Sequence, residues 1–403
     1  MKLDTNRNLF VSKKNYYIIL IFDKIIKLLW WISIRSGLWK ANRGQKNRVL
    51  FIGPTHIGDI LLSTPAIRFA KEKNPALKII CIASSSSKAA IENNFYIVGI
   101  EIIDLPWFLE EKGDFIRTIR SFFQFIRVLK GANAETAVNF SSTSYHREHL
   151  AMWLAGIPNR VGFSHKGFGY FLTGNITFVE DELIARQKLR MAGYCLGEQT
   201  YNYSLKPDYF IPRTSEKKAQ ELLSSLGLKC GRAIVGINIG ARHNYLWPES
   251  HWVKLCNSIF KIWGANIVFL GTKNFELFID KVKSQLNFQS FSLVGMTSLD
   301  ELAALLKRLD LLITIDTGTR HIANAVGTKS IVLRHGADSI FEFGRYVETE
   351  CVIAHPVSCS PCGREMCPLE TFECITGIEP QFVICTIKKI WHNKSILERE
   401  CDR

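Results

Sequence analysis

Short apolar runs separated by longer helical stretches constrain the fold of this chain more than any other feature. The runs are rich in Ile, Val and Leu, and the stretches between them carry apolar residues at helical spacing. Strands that alternate with helices in this way indicate parallel sheets covered by helices on both faces. We predict strands at Arg48–Gly53, Leu77–Ala83, Ile100–Leu105, Ala134–Phe140, Ala233–Ile239, Ala265–Gly271, Phe288–Val294, Leu311–Ile315 and Lys329–Leu333.

The alternation pauses around Pro207 and Pro212 and then starts again. A chain of 403 residues is long enough for two domains. We therefore predict an amino-terminal parallel-sheet domain over residues 47–206 and a carboxyl-terminal one over residues 207–403. Two such domains are expected to leave a cleft beside the carboxyl ends of their strands, where ligands usually bind.

The predicted strand Leu311–Ile315 ends in small polar residues and leads into a helix. Asp316 and Thr317 lie in the turn, and Gly318 would let a ligand approach the backbone closely. His321 lies one turn into the helix. The free N–H groups and the dipole at a helix N-terminus bind phosphate, so these residues predict an anion site. The alternative is that Asp316 or Thr317 only caps the helix.

Two acidic residues follow predicted strands at positions suited to chemistry. The first strand leads into GPTHIGD at residues 53–59, and Asp59 there could take a proton from a substrate hydroxyl. Glu276 follows the strand Ala265–Gly271, and an acid in that place suits the hydroxyls of a ribose. The alternative for both residues is a surface charge near a helix N-terminus.

The net charge of +14 indicates partners that are acidic. Anionic lipid, phosphorylated sugars and nucleic acid all fit that charge. The sequence contains no RRM-like or zinc-finger signature, so nucleic acid is not an expected partner.

The amino-terminal segment, residues 1–46, contains the apolar stretch Tyr16–Ile34. Asp23, Lys24 and Lys27 lie in its middle, and each such charge costs roughly 2.5–3.5 kcal/mol at the centre of a membrane helix. We therefore predict an amphipathic helix that lies in a membrane interface beside anionic headgroups. The alternative is a helix packed on the protein's own core. No secretory signal is evident, so we expect a cytoplasmic protein whose cysteines are mostly free or metal-bound.

Four cysteines lie close together near the carboxyl terminus, in the loop spanning residues 359–374. Their spacing would allow a structural zinc ion or an iron–sulfur cluster, although it matches no standard zinc pattern closely. The alternative is a loop with free thiols or reversible disulfides. The four are Cys359, Cys362, Cys367 and Cys374.

Several segments together resemble glycosyltransferase family nine, the ADP-heptose:lipopolysaccharide heptosyltransferases. The resemblance runs from about Val49 to Val383 and depends on the order and spacing of the segments. The GPTHIGD form is closer to the heptosyltransferase II branch than to the I branch. The segments are VLFIGPTHIGDILLSTPAIR at Val49–Arg68, LAGIPNRVGF at Leu154–Phe163, GARHNYLWPESHW at Gly240–Trp252, FLGTKNFE at Phe269–Glu276, LVGMTSLDELAALL at Leu293–Leu306, DTGTRHIANAVG at Asp316–Gly327 and CSPCGREMCPLETFECITGI at Cys359–Ile378.

The resemblance implies a GT-B fold, in which two Rossmann-like domains face a cleft. The amino-terminal domain would hold the acceptor and the carboxyl-terminal domain the nucleotide sugar. The implied reaction is an inverting transfer of heptose from ADP-heptose to a lipopolysaccharide core or related glycan, with no catalytic metal or other cofactor. The implied location is the cytoplasmic face of the bacterial inner membrane, whose anionic surface would be a further partner.

The resemblance also assigns roles to particular residues. Asp59 matches the family's catalytic base, and Thr55, His56 and Gly58 lie in the acceptor-side loop. The residues that match the donor-binding positions are Gly240, Arg242, Glu276, Asp316, Thr317, Gly318 and His321.

One departure from the family pattern concerns a lysine. Family members usually carry Lys just before a Trp-Pro pair as a diphosphate contact, whereas this chain has Tyr245 and Leu246 there. Arg242 or His243 would then supply the charge. Two other functions stay open: a nucleotide-sugar epimerase or hydrolase on the same kind of fold, and a non-catalytic nucleotide-sugar-binding protein.

Overall fold

Two parallel sheets of six strands each organise the described part of the chain. The structure is a computed structural model. It describes residue 24 and residues 26–37, 39–53, 56–107, 115–141, 146–165, 167–240, 245–339, 342–364, 366–367 and 369–392. The chain divides into two compact units between Leu205 and Lys206. The α/β fold class predicted from the alternation of strands and helices is confirmed.

The first unit holds one sheet and the helices that connect its strands. The strands are β1 (Gln45–Ile52), β2 (Lys78–Ala83), β3 (Ile97–Ile102), β4 (Ala134–Asn139), β5 (Asn159–Phe163) and β6 (Gly174–Ile176). The helices are α1 (26–35), α2 (Ile57–Leu61), α3 (Thr64–Lys73), α4 (Phe115–Ala132), α5 (His146–Leu154) and α6 (Ile184–Leu196). The strand order is β3-β2-β1-β4-β5-β6.

The second unit repeats this arrangement. Its strands are β7 (Ile234–Asn238), β8 (Asn266–Leu270), β9 (Phe291–Ser292), β10 (Leu311–Ile315), β11 (Ser330–Arg334) and β12 (Glu350–Ala354). Its helices are α7 (Arg213–Ser225), α8 (Glu249–Trp263), α9 (Glu276–Ser284), α10 (Leu299–Leu306), α11 (Gly318–Val326), α12 (Glu373–Thr376) and α13 (Pro380–His392). The strand order is β12-β11-β10-β7-β8-β9.

The strand order places one reversal point in each sheet. In the first unit the chain builds from β1 to β3 and then crosses to the other side of β1 with β4. In the second unit it builds from β7 to β9 and then crosses to the other side of β7 with β10. Open parallel sheets bind ligands beside the carboxyl ends of the strands at such reversal points. Each unit therefore has one favoured ligand position.

Burial explains which runs were predicted correctly. All five residues of β10 and all five of β8 are buried, so each reads as a continuous apolar run, as expected for strands covered on both faces. The run Phe288–Val294 forms only the two-residue strand β9. The strands β5, β6 and β12 were not predicted. The strand β5 has polar residues and a glycine among its five residues, β6 is only three residues long, and β12 has Glu350 among its apolar residues.

Pro65 divides the helical stretch after β1. Because proline lacks an N–H, it fits the first turn of a helix better than the interior. Accordingly α2 ends at Leu61, and α3 begins at Thr64 with Pro65 in its first turn. The short helix α2 carries Asp59 directly after the first strand.

Helix α1 has one packed face and one exposed face. Ile26 and Trp30 pack in a cluster with Trp153 of α5, and the Trp39 Nε1 group donates a hydrogen bond of 2.7 Å to the Trp153 carbonyl. The other face is exposed at Leu28, Leu29, Trp31, Ile32 and Ile34. One face of α1 therefore packs on the protein's own core, which was the alternative to a helix lying in a membrane interface. In the described residues, no helix has both the length and the apolar character needed to span a bilayer.

Glu148 is a buried acid at the start of α5. It accepts a hydrogen bond of 2.6 Å from Trp107 Nε1, while its Oε2 atom has no hydrogen-bond partner among the described residues. Burial raises the pKa of Glu148 to about 7, although the Trp107 hydrogen bond acts in the opposite direction. The folded protein therefore binds a proton at Glu148 over a pH range in which the unfolded chain releases it.

We predict that Glu148→Gln flattens the pH dependence of stability between about pH 4.5 and 7. In that window the folded state holds the proton and the unfolded state does not, so the wild-type protein loses stability as the pH rises. Across this window the wild-type protein loses about 3 kcal/mol of unfolding free energy through Glu148. Thermal unfolding is measured at pH 5 and pH 8. The melting temperature of the variant, relative to that of the wild-type protein, should be higher at pH 8 than at pH 5. The matched control, Glu101→Gln on β3, removes an exposed carboxyl and should follow the wild-type curve; equal pH profiles for all three proteins would contradict the prediction.

Candidate active site

The reversal point of the second sheet brings together Asn238 and the turn after β10. Asn238 is the last residue of β7 and is buried. Its side-chain amide donates hydrogen bonds to the hydroxyls of Thr314, at 2.9 Å, and Thr317, at 3.3 Å. The amide thus links the ends of the two strands that flank the reversal point. Asn238 was not identified as a site residue from the sequence. Its position as a polar residue at the end of a buried strand could have indicated it.

Helix α11 begins at this turn. Thr317 is its N-cap residue, has extended backbone, and makes no side-chain capping hydrogen bond among the described residues. The first backbone N–H groups of the helix, beginning with Gly318, therefore face the end of the sheet without a side-chain cap. Such N–H groups, together with the helix dipole, are the feature on which the predicted anion site rests.

Asp316 anchors the turn through two arginines. Its Oδ1 accepts a hydrogen bond of 3.0 Å from Arg320, and its Oδ2 accepts one of 2.7 Å from Arg334. Burial acts to raise the pKa of Asp316, but the Arg320 and Arg334 guanidiniums outweigh it and hold the pKa below its ordinary value. Both carboxylate oxygens are therefore engaged inside the protein, which makes Asp316 a support for the loop.

A second acid completes this charge network. The fully buried Arg320 also pairs with Glu350 of β12, and Asn324 donates a hydrogen bond of 2.8 Å to the same carboxylate. The Arg320 guanidinium donates further hydrogen bonds to the carbonyls of Phe343, at 2.9 Å, and Gly344, at 2.7 Å. Sequence reasoning missed this network, because Arg334 and Glu350 are far from Asp316 in the chain and only the fold brings them together.

His321 lies one turn into α11 and is largely buried. Its Nδ1 atom lies 2.6 Å from the Tyr346 hydroxyl, and the two rings are stacked with centroids 5.8 Å apart. Tyr346 thus fixes the orientation of the imidazole beside the helix N-terminus. A histidine held in this place can add a hydrogen bond or a positive charge to an anion site.

The loops after β7 and β8 are in close contact. A Cβ atom at Gly240 would lie 3.2 Å from the ring of Phe275, the residue before Glu276. Glu276 is exposed at the start of α9. Gly240 is thus needed for this close approach, and it keeps the Glu276 loop next to the end of β7. Arg242 and His243, to which the diphosphate charge was assigned, lie outside the described residues.

Asp59 lies on α2, beside the reversal point of the first sheet. Gly58 is buried and His56 is the exposed N-cap residue of the same helix, whereas Thr55 lies outside the described residues. Asp59 is half-buried, and its backbone carbonyl accepts hydrogen bonds from Ser63 Oγ, at 3.0 Å, and Lys188 Nζ, at 2.7 Å. The loop that carries the predicted base is therefore tied to α6.

Lys188 is a buried cation next to Asp59. Burial lowers its pKa to about 8, and the charge of Asp59 acts against that shift. Lys188 was not identified from the sequence, although it occupies the buried stripe of α6 between Ile184 and Ala192, where a lysine is unusual.

Tyr245, which stands near the family's lysine position, is buried. Its hydroxyl donates a hydrogen bond of 2.8 Å to the Arg364 carbonyl, and its ring stacks on His335 with centroids 4.5 Å apart. Trp247 is also fully buried, and its Nε1 group donates a hydrogen bond of 2.7 Å to the Ile378 carbonyl. Both side chains therefore serve the packing of the second unit.

The four clustered cysteines have different surroundings. Cys359 is exposed, Cys374 is buried, and Cys362 Sγ lies 3.8 Å from the Tyr245 hydroxyl. Backbone N–H groups, that of Phe372 first, lower the pKa of Cys367. In the described part of the chain, no group of three or more His, Cys, Asp or Glu side chains is placed to hold a metal ion. The structural metal site considered for this loop is therefore not found, and all four thiols are free.

Two Rossmann-like units, each with its polar residues at the reversal point of a parallel sheet, define a GT-B-type fold. A family model described as glycosyltransferase family 9 (heptosyltransferase) matches residues 150–373. The chain belongs to this family, which confirms the resemblance found in its sequence segments.

Curated relatives carry related names. Lipooligosaccharide heptosyltransferase 2 of Campylobacter jejuni is 26% identical over 201 residues, which cover 46% of this chain and 63% of the relative. Lipopolysaccharide heptosyltransferase 2 of Escherichia coli is 22% identical over 297 residues, which cover 71% of this chain and 82% of the relative. The chain thus spans less than two thirds of the Campylobacter relatives that it matches.

Solved structures share the fold. The family 9 glycosyl transferase of Veillonella parvula has a TM-score of 0.74 at 21% identity, covering 88% of this chain and 100% of that one. The E. coli ADP-heptose lipopolysaccharide heptosyltransferase II has a TM-score of 0.65 at 18% identity, covering 86% of this chain and 99% of that one.

We predict that Asp316→Asn destabilises the protein by about 3 kcal/mol or more, because it leaves buried arginines without a full counter-charge. Urea unfolding followed by tryptophan fluorescence measures the change. Glu276→Gln is the matched control: it neutralises an exposed acid of the same unit and should change stability by less than about 0.5 kcal/mol. If Asp316→Asn were as stable as the wild-type protein, the network would not be the support described above.

Proposed function

We propose that this protein is an inverting glycosyltransferase that moves heptose from ADP-heptose to a lipopolysaccharide core or related glycan acceptor. Family membership supports the reaction class, and the names of the relatives support the sugar and the acceptor class. The observation that carries the proposal is the uncapped N-terminus of α11 at the sheet reversal point, with His321 beside it.

In this proposal the second unit binds the donor. The N–H groups at Gly318 and Thr319 bind the diphosphate, and His321 adds a hydrogen bond or charge. Glu276 binds the ribose hydroxyls of the nucleotide, while Gly240 lets the nucleotide approach the end of β7. Asp316 positions the turn through its two arginines.

Asp59 of the first unit is the proposed general base. Its carboxylate takes the proton of an acceptor hydroxyl as that oxygen forms a bond to the anomeric carbon of heptose. The bond from this carbon to the diphosphate oxygen breaks, and the leaving diphosphate takes the electron pair. Lys188 holds the Asp59 backbone through its hydrogen bond to the Asp59 carbonyl and thereby positions the loop that carries the base.

The growing negative charge on the diphosphate is stabilised by the start of α11 and by His321. These groups supply positive charge directly, so the proposal includes no metal ion or other cofactor. We also propose that the amino-terminal segment holds the enzyme peripherally at the anionic cytoplasmic face of the inner membrane, near its glycolipid acceptor.

We predict that Asp59→Asn lowers the rate of transfer by ~10²–10⁴-fold, because a general base has been removed. Donor affinity should stay nearly unchanged, since the donor site lies in the other unit. Product formation is measured by mass spectrometry with ADP-heptose and a lipopolysaccharide core acceptor. Near-normal turnover in this variant would remove Asp59 from the mechanism. Turnover of ADP-heptose without any acceptor would instead support the epimerase or hydrolase alternative.

We predict that Thr317→Val and His321→Ala each weaken donor binding, because each loses a polar group at the diphosphate site. Hydrogen bonds to charged groups typically contribute about 1.5–3 kcal/mol, so affinity should fall roughly tenfold or more. Isothermal titration calorimetry with ADP-heptose gives the affinities. Thr214→Val, which changes an exposed threonine at the start of α7, is the control and should bind as the wild-type protein does. Unchanged affinity in both site variants would overturn the donor assignment.

A further inference from the structure

Helix α4 of the first unit exposes a face that its own fold does not cover. The helix packs on the core through Phe125, Leu129 and Ala132. On another side, Phe115 is 76% exposed, Phe123 is 59% exposed and Ile119 is 40% exposed. Large apolar side chains exposed as a group are uncommon on soluble proteins and mark an interaction surface.

These exposed residues form one stripe. Phe115, Ile119 and Phe123 are spaced four residues apart, so they lie along the same side of the helix. Arg120 and Arg127 are seven residues apart and run along one edge of that stripe, and Lys130 continues it toward the end of the helix. The stripe is therefore apolar in its centre and basic along its border.

All the charged residues of α4 are basic. The helix contains Arg117, Arg120, Arg127 and Lys130, all exposed, and no acidic residue. None of Arg120, Arg127 and Lys130 pairs with a carboxylate in the part of the chain that the structure describes. Within the described residues Arg120, Arg127 and Lys130 therefore have no acidic partner, which leaves them available to an anionic partner.

Helix α1 presents the same combination close by. Both helices lie on clusters that include residues of α5: α4 shares one with Ala151 and Met152, and Ile26 and Trp30 of α1 pack against the one that contains Trp153. The exposed face of α1 is also apolar, and Leu154 at the end of α5 is 38% exposed. Seven basic residues and no acidic one lie between positions 24 and 58.

We propose that α4 and α1 together form one docking surface for an anionic lipid bilayer. A bilayer is favoured as the occupant because the surface combines bulky apolar groups, which enter the interface, with cations of one sign, which face lipid headgroups. This inference extends the membrane association proposed above from the amino-terminal segment to a second, internal helix. It follows that removing the amino-terminal segment weakens membrane binding without abolishing it.

The test measures binding of the full chain to vesicles by flotation. Vesicles of phosphatidylcholine alone are compared with vesicles that also contain phosphatidylglycerol, each at low and high salt. The double variant Ile119→Asp/Phe123→Asp removes the apolar centre, and Arg120→Glu/Arg127→Glu reverses the charge of the border. Leu277→Asp and Lys281→Glu make one substitution of each kind on the exposed face of α9 in the second unit and are the controls, to be compared also with the single variants Phe123→Asp and Arg127→Glu of α4.

We expect the wild-type protein to float with anionic vesicles at low salt and less so at high salt. Each α4 double variant should bind at least about tenfold more weakly, while the α9 variants bind as the wild-type protein does. All substituted arginines are exposed, so the charge-reversal variant tests the surface even if the aspartate variant unfolds. Wild-type binding by both α4 variants, or no wild-type binding to anionic vesicles, would overturn the proposal; the second result would favour an acidic protein as the partner.

Transfer to a water-soluble acceptor separates this inference from the proposed function. The α4 variants should keep that activity, because the helix lies outside the residues assigned to donor binding and proton transfer. Normal vesicle binding by a wild-type protein without transfer activity would count against the glycosyltransferase proposal and leave the docking surface intact.

Discussion

The turn that begins helix α11 in the second unit depends on a buried network of two arginines and two acids. Arg320 and Arg334 lie between Asp316 and Glu350, and the network as a whole is close to neutral. Burying these charges is costly, and only their mutual contacts and the added carbonyl hydrogen bonds offset that cost. The network connects the turn after β10 to β12 and to the loop at residues 343–344. The N-terminus of α11 is thereby fixed by the protein itself, which is the condition for stabilising a charge as it develops.

The two units place groups of opposite charge at the same point of one topology. At the reversal point of the first sheet lies Asp59, whose backbone carbonyl accepts a hydrogen bond from Lys188. At the reversal point of the second sheet lies the positive end of α11. The strand order determines where the open end of each sheet lies, whereas the first residues after the strand determine which charge is placed there. The same strand order thus occurs in both units with different chemical groups at the end of the first strands.

Many of the strands and the turn after β10 were predicted from the sequence, and the physical reason is different for each kind of element. The strand Leu311–Ile315 was predicted with its observed bounds, because a strand buried on both faces is an unbroken apolar run. The turn that follows was recognised from local chemistry alone. Lys188, Arg334 and Glu350 were missed, because each belongs to a site through contacts made only after folding. The short strand β6 was missed, since three residues carry no periodic signal.

The burial of Tyr245 restricts which residues this position can accept. Its ring lies against His335 and its hydroxyl donates a hydrogen bond to the Arg364 carbonyl, so the residue connects the end of β11 to the cysteine-rich loop. A lysine introduced there would place an ammonium group among buried aromatic rings, where its loss of hydration would oppose folding. A charged residue at this position is therefore compatible with the fold only if the neighbouring side chains and the loop are packed differently.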